Sequence, residues 1–276
     1  MSRTTKLSDR MKRYESTTDV SLPLKTPAII RIDGKAFHTF TRGLKKPFDE
    51  ILMTSMQETM LALCEDIQGC VLGYTQSDEI SLVLIDYQTV KTAAWFDYRV
   101  QKCASIASSK ATKHFNRIFA KHANEWIDNY HEAWNVSEDE HKYARTLMRC
   151  IEEGAEFDAR IFPMPVSEVC NYLYWRQDDA TRNSIQMLGR AYFSKKEMDR
   201  KSNNQVQDML FMKHNINWND CPTAQKRGTC CIKVEQEFLD KDNRTFKRKK
   251  WVIDRNIPIF VGEGRAYVDN LIDLVH

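Results

Sequence analysis

The sequence predicts an α+β fold with the element order β-α-β-β-α-β, and three observations carry that prediction. "AIIRI" (28–32) is an apolar run of strand length that stops on Asp33-Gly34. "VLGYTQ" (71–76) and "ISLVLIDY" (80–87) flank a tight "SDE" connection, the pattern of a β-hairpin. Between and after these segments lie stretches with helical spacing, and "FDARIFP" (157–163) supplies a fourth strand. Together they give the ferredoxin-like arrangement.

Taken in order, Leu7, Met11 and Tyr14 have helical spacing within residues 5–16, and "VSLPLKTP" (20–27) is a Pro-punctuated linker. After the first strand, "KKPFDE" opens a helix with Asp49 as its N-cap. Leu52, Met56, Met60, Leu63 and Ile67 form its apolar stripe, and Gly69 ends it. A second helix is expected from about residue 90, with Phe96, Val100, Cys103 and Ala107 facing inward. The stretch 111–155 reads as one or two helices inserted before the fourth strand. Residues 166–194 read as helical, and 228–239 and 248–260 as a second pair of strands joined by "DKDNRT". The expected organisation is a catalytic core over 1–165, and a helix-plus-strand region over 166–276 that completes it.

With 276 residues the chain can bury a large core, and 42% hydrophobic with 29% charged residues is ordinary for a soluble protein. It contains no apolar run of membrane-spanning length. "MSRTTKLSDRMKRYE" is charged and lacks an apolar signal core, so a cytoplasmic location is expected. Eight cysteines without a C-x-x-C pair read as reduced thiols rather than a disulfide framework or zinc site. The sequons at Asn135 and Asn243 then carry no information. A net charge of +3 permits an anionic partner without demanding one.

Two strand-like segments thus stop on acid, at Asp33 and Asp78. A β-α-β-β unit can bring both carboxylates to one sheet edge, where their repulsion invites a divalent cation. Hard oxygen ligands favour Mg²⁺, which shares its coordination with substrate phosphates. Two such ions are the apparatus of phosphoryl or nucleotidyl transfer. Glu79, facing the other way by strand alternation, is a second-rank candidate. Taken singly, Asp-Gly and Ser-Asp are also plain turn chemistry. No P-loop, EF-hand loop, zincin or nucleophile-elbow motif is complete in the sequence.

"RIDGKAFHTF", "KKPFDE" and "YTQSDEISLVL" resemble the tRNA(His) guanylyltransferase family and its Thg1-like relatives, polymerases that add nucleotides in the 3′-to-5′ direction. "FDYRVQKCASIASS", "FDARIFPMP", "YLYWRQDDATRNSI" and "QKRGT" resemble further blocks of that family. After the W-R-Q-x-D segment the eukaryotic pattern continues H-I-N-N-L-Y-N, whereas this chain continues "ATRNSIQML". That departure resembles the branch known for template-dependent repair of 5′-truncated tRNAs.

The resemblance implies a polymerase palm in which Asp33, Asp78 and the Gly34 carbonyl hold two Mg²⁺. It implies ATP activation of an RNA 5′-phosphate, followed by attack of the 3′-hydroxyl of GTP or another NTP. Lys35, Ala36, Phe37 and His38 would then form the loop under the nucleotide, with Ser77, Lys46 and Asp49 as further contacts. Asp49 as an N-cap and His38 as an ordinary packed or surface histidine remain open alternatives. Arg99 and Lys102, three apart on one helix face, and Arg160 would take the triphosphate. Arg176, Arg182, Asn183, Arg190, Lys226 and Arg227 would face tRNA. Lys249 and Lys250, in a basic run beside Trp251, are either an RNA track or a solvated strand edge. Family resemblance also suggests a homotetramer. The rivals are a palm-type nucleotidyltransferase or cyclase acting on a small molecule, and a tRNA-binding protein with a spent active site.

Overall fold

The computed structural model describes residues 6–131, 136–239 and 245–273. Both sequon asparagines and positions 240–244 of the expected turn lie outside the described residues. In chain order the elements are α1 (Lys6–Glu15), β1 (Ala28–Gly34), α2 (Phe37–Phe40), α3 (Glu50–Asp66), β2 (Cys70–Gln76), β3 (Glu79–Leu84), α4 (Val100–His131), α5 (Glu138–Glu153) and β4 (Phe157–Pro163). They continue with α6 (Val166–Tyr192), α7 (Lys195–Met198), α8 (Asn203–His214), α9 (Thr223–Arg227), β5 (Thr229–Leu239), β6 (Thr245–Asp254) and α10 (Ala266–Ile272). Among the described residues no helix is long and apolar enough to cross a membrane.

The strands form one six-stranded antiparallel sheet, ordered β4-β1-β3-β2-β5-β6. Strands buried on both faces need apolar residues on both, and β1 supplies them in alternation. Ile30 and Ile32 face one core with Met60, Leu63, Leu82 and Phe115. Ile29 faces the other with Leu72, Tyr74, Val83, Val169 and Leu173. α3, α4 and α5 cover the first face, and α6 and α10 the second. A smaller cluster of Ile185, Leu188, Val206, Leu210 and Trp218 ties the far half of α6 to α8. The expected N-cap holds: the Asp49 side chain accepts from the Leu52 N–H. The start of α5 is a capping box of Ser137 and Glu140.

Two expectations are corrected. The helix expected from about residue 90 begins only at Val100. Residues 20–22 of the linker pair with the chain there: the Leu22 N–H donates to the Tyr98 carbonyl at 3.1 Å, and the Val100 N–H to that of Val20 at 2.8 Å. Phe96, Asp97 and Tyr98 have positive φ, which a helix cannot propagate, and Phe96 is exposed rather than inward. The last strand is Thr245–Asp254, not 248–260. It ends where the Asp254 carboxylate accepts from the Asn256 N–H and Pro258, which has no N–H, follows.

Phe37, Phe40, Phe119 and Phe157 all pack on the fully buried ring of Phe115. Phe115→Ala should lower unfolding free energy by about 3–5 kcal/mol in urea denaturation. A loss below about 1 kcal/mol would show that this cluster does not anchor α4.

Candidate active site

Register places the acids. Asp33, next to last in β1, lies opposite Glu79 on β3 and Asp158 on β4. The Gly34 N–H donates to the Asp78 carbonyl at 3.1 Å, closing the hairpin turn against the end of β1. A Cβ on Gly34 would stand 2.2 Å from the Phe37 ring, so only glycine lets α2 start this close beneath the strand. Ser77 sits at φ +50° and its hydroxyl donates to Asp78 Oδ1 at 3.0 Å.

The three neighbouring carboxylates differ in environment. Burial pushes the Asp78 carboxyl above the usual carboxylate range; the Ser77 hydroxyl opposes this, and the charge of Asp33 adds to it. Burial also raises Glu79, against the pull of the Arg176 and Arg31 guanidinium groups. Glu79 is only 3% exposed, and its Oε2 lies 2.7 Å from Arg31 Nη2 and 3.0 Å from Arg176 Nη1. Its charge is therefore consumed inside the fold. Asp33 is partly exposed and has the Arg31 guanidinium 4.0 Å away. Among the described residues no group of three or more His, Cys, Asp or Glu side chains forms a ready ligand set.

A cavity of about 560 Å³ opens at this edge, lined by Gly34, Ala36, Phe37, His38, Lys46, Asp49, Ser77 and Asp78 among the expected residues. Arg190, read from the sequence as an RNA contact, lines the same cavity with Met187. Leu44, Lys45 and Leu52 complete much of the remaining wall; Lys45 opens the KKPFDE block and Leu52 belongs to the apolar stripe of α3, but neither is read as a site residue from the sequence. Phe37 is at the same time a core ring, 5% exposed. Asp33 and Lys35 lie outside this lining; the Lys35 ammonium pairs with Glu156 at the surface. That pairing raises the Lys35 pKa and lowers that of Glu156.

Other expected residues lie elsewhere. Arg99 bridges to Ser21 just before α4, and the Lys102 ammonium sits 4.5 Å over the Phe96 ring. Neighbouring Tyr98 feels the charge of Asp86, which follows the Leu84 end of β3. Leu84 pairs with Ala28, so Arg99 and Lys102 stand at the opposite end of β1 from Asp33. Arg160 is exposed on β4, opposite Arg31 in register and 3.4 Å from Asp158. Arg182 pairs with Asp178 and Asp179, and Asn183 borders a small neighbouring pocket with Met53 and Gln76. Lys249 and Lys250 are exposed on the edge strand β6.

Two RNA expectations need correction. Arg176 is 4% exposed, bound to Glu79 and stacked on the Trp175 ring, so its guanidinium does not reach a surface. Lys226 is 9% exposed and donates to the Asn219 carbonyl, whereas Arg227 stays partly exposed. The sequence reading also missed Arg31, whose one signal was a lone cation inside an apolar strand.

The raised Asp78 carboxyl means that the folded state binds this proton more tightly than the unfolded chain. Stability then falls as pH climbs through the carboxylate range. In metal-free buffer, Asp78→Asn should therefore melt higher than the parent at pH 7. The gain should vanish near pH 3, below the ordinary aspartate value of about 3.9. A lower melting temperature at pH 7 would contradict this.

Comparison with known proteins accords with the geometry. The family model described as "Thg1: tRNAHis guanylyltransferase" matches residues 8–165, more than half of the chain. A bacterial tRNA(His) guanylyltransferase (Thg1)-like protein solved with ATP is similar at 38% identity and TM-score 0.79, over 96% of this chain and 98% of that one. A structure of such a bacterial protein with GTP is similar at 36% identity and TM-score 0.75, over 98% and 100%. A probable tRNA(His) guanylyltransferase of Dictyostelium discoideum is 27% identical over 84% of each chain. The acid edge, the cavity above it and these likenesses lead to one conclusion: the chain belongs to the Thg1 family of tRNA(His) guanylyltransferases.

Proposed function

We propose that this protein is a Mg²⁺-dependent nucleotidyltransferase that adds nucleotides in the 3′-to-5′ direction to the 5′ end of tRNA, and that its task is template-dependent repair of shortened ends. One observation carries the reading: a nucleotide-sized cavity with Lys45, Lys46 and Arg190 in its walls opens directly onto Asp78 and Gly34. The relatives solved with ATP and GTP support a nucleoside triphosphate as occupant. The order β4-β1-β3-β2, with α3 and α4 as crossovers, supports a ferredoxin-like palm. The core would then lie in 1–165, with 166–276 completing it and meeting RNA. Cytoplasmic location, expected from the charged N-terminal stretch and the cysteine usage, and a homotetramer, suggested by family resemblance, belong to the same reading.

The residues at the edge fit Mg²⁺. Asp33 and Asp78 offer hard oxygens, and burial, with the charge of Asp33 adding to it, raises the Asp78 carboxyl, which a cation would offset. They and the Gly34 carbonyl would hold two ions. When bound, these would supply charge stabilisation at the phosphates and acidify the attacking hydroxyl. The protein's own contribution is placement. Lys46 and Arg190 attract the triphosphate, and Ser77, Ala36 and His38 border it. Arg31 and Arg176 keep the third acid, Glu79, paired and away from the substrate. Exposed Arg182, Lys249 and Lys250 are available to RNA phosphates.

The test is incubation with 5′-truncated, 5′-monophosphorylated tRNA, Mg²⁺, ATP and labelled NTPs. The parent should extend the 5′ end. Asp33→Ala and Asp78→Ala should each lower the rate roughly a thousand-fold or more while circular dichroism stays unchanged. Near-parental turnover of either variant at saturating Mg²⁺ would sink the assignment.

A further inference from the structure

The role given to the acid edge leaves α5 without a part, yet one side of this helix is spent on a single segment, residues 40–49. That segment runs as turns and supplies Thr41, Leu44, Lys45, Lys46 and Asp49 to the cavity wall. Tyr143, Thr146, Arg149 and Cys150 recur at helical spacing along the facing side of α5. Arg149 Nη2 donates to the carbonyls of Phe40 and Arg42 at 2.8 and 2.9 Å. The Cys150 thiol donates to the Phe40 carbonyl at 3.3 Å. Thr146 stands so near that a Cβ on Gly43, itself at φ +91°, would lie 2.8 Å from its Oγ1.

The tightest point is Asp49. Its Oδ2 accepts from the Tyr143 hydroxyl at 2.7 Å and the Lys45 N–H at 3.0 Å, while Oδ1 accepts from the Leu52 N–H at 2.9 Å. Both side chains are nearly buried, Tyr143 at 5% and Asp49 at 4% exposure. The Lys45 ammonium lies 4.5 Å over the Tyr143 ring and 5.3 Å over that of Trp126 on α4. One tyrosine thus fixes the carboxylate that joins the segment to the N-terminus of α3, and also steers a lysine of the cavity wall.

We propose that α5 is a clamp on segment 40–49, and that Tyr143 and Arg149 are positioning residues for nucleotide binding, acting through Asp49, Lys45 and Lys46. The inference rests on the reading of the cavity as the nucleotide site. A buried carboxylate that loses a donor is under-satisfied, and the wall it anchors relaxes. The cost then falls on ground-state affinity rather than on the acid edge.

Tyr143→Phe removes the hydroxyl but keeps the ring, and Arg149→Met removes the fork but keeps the stem. Arg145→Ala, whose guanidinium pairs with Glu138 on the solvent side of α5, is the control. GTP and ATP dissociation constants are measured by titration calorimetry on the full chain, and kcat and nucleotide KM in the tRNA-end assay. Tyr143→Phe and Arg149→Met should each weaken nucleotide binding and raise nucleotide KM about five-fold, with kcat and tRNA KM within about two-fold of the parent. Arg145→Ala should match the parent. Unchanged nucleotide affinity in both variants, or a fall in kcat at constant KM, overturns the clamp and leaves the functional reading standing. A parent chain that binds neither nucleotide overturns both.

Discussion

The register of β1 against β3 governs this protein's chemistry. Ile30 and Ile32 face the core under α3 and α4, and the opposite alternation turns Arg31 and Asp33 to the α6 side. A slip of one residue would drive Asp33 into the phenylalanine cluster and bring Ile32 out beside Glu79, a cost that burial on both faces makes prohibitive. The same pairing sets Gly34 against Asp78, so the hairpin turn and the strand end share one edge. The closeness of the acid pair is therefore a by-product of core packing. No contact between the two carboxylates themselves favours it.

Of the acids at that edge, Asp33, Asp78, Glu79 and Asp158, the fold buries and pairs Glu79. Glu79 is taken up by Arg31 from the sheet and Arg176 from α6, an ion cluster whose desolvation is offset only while every partner stays in place. Tyr172 reinforces the same seam through its hydroxyl contact with Ser81 at 2.9 Å. α6 is thus pinned beneath the acids near Arg176, and about three and four turns further on it delivers Met187 and Arg190 to the cavity. The buried cluster and the open cavity are two stations on one helix. The pairing of Glu79 just below the acid edge thus also fixes the helix that reaches the cavity.

Much of this was legible in the sequence because it is local. A strand breaking on Asp-Gly, a hairpin across Ser-Asp and an N-capping Asp49 each leave their signature within a few residues. What was not legible depends on distant partners. Arg176 and Lys226 look like any surface cations until Glu79 and Asn219 are seen to claim them. Spacing puts Arg99 and Lys102 on one helix face, but Arg99 is extended and bridged to Ser21 before α4 begins, and spacing cannot tell which end of the sheet the two share. The delayed start of α4 follows from pairing with residues 20–22, which no propensity within 90–99 encodes. Tyr143 meets Asp49 across 94 residues, in a segment without any motif.

We propose that the acid edge builds a nucleotide onto a tRNA 5′ end under the direction of a template base. The most direct measurement supplies tRNAs lacking their first nucleotide, each with a different base at the opposing position, alongside full-length tRNA(His) with A at that position. Incorporation should follow Watson–Crick identity on the shortened tRNAs and be weaker on the full-length one. Addition of G whatever the opposing base would contradict it.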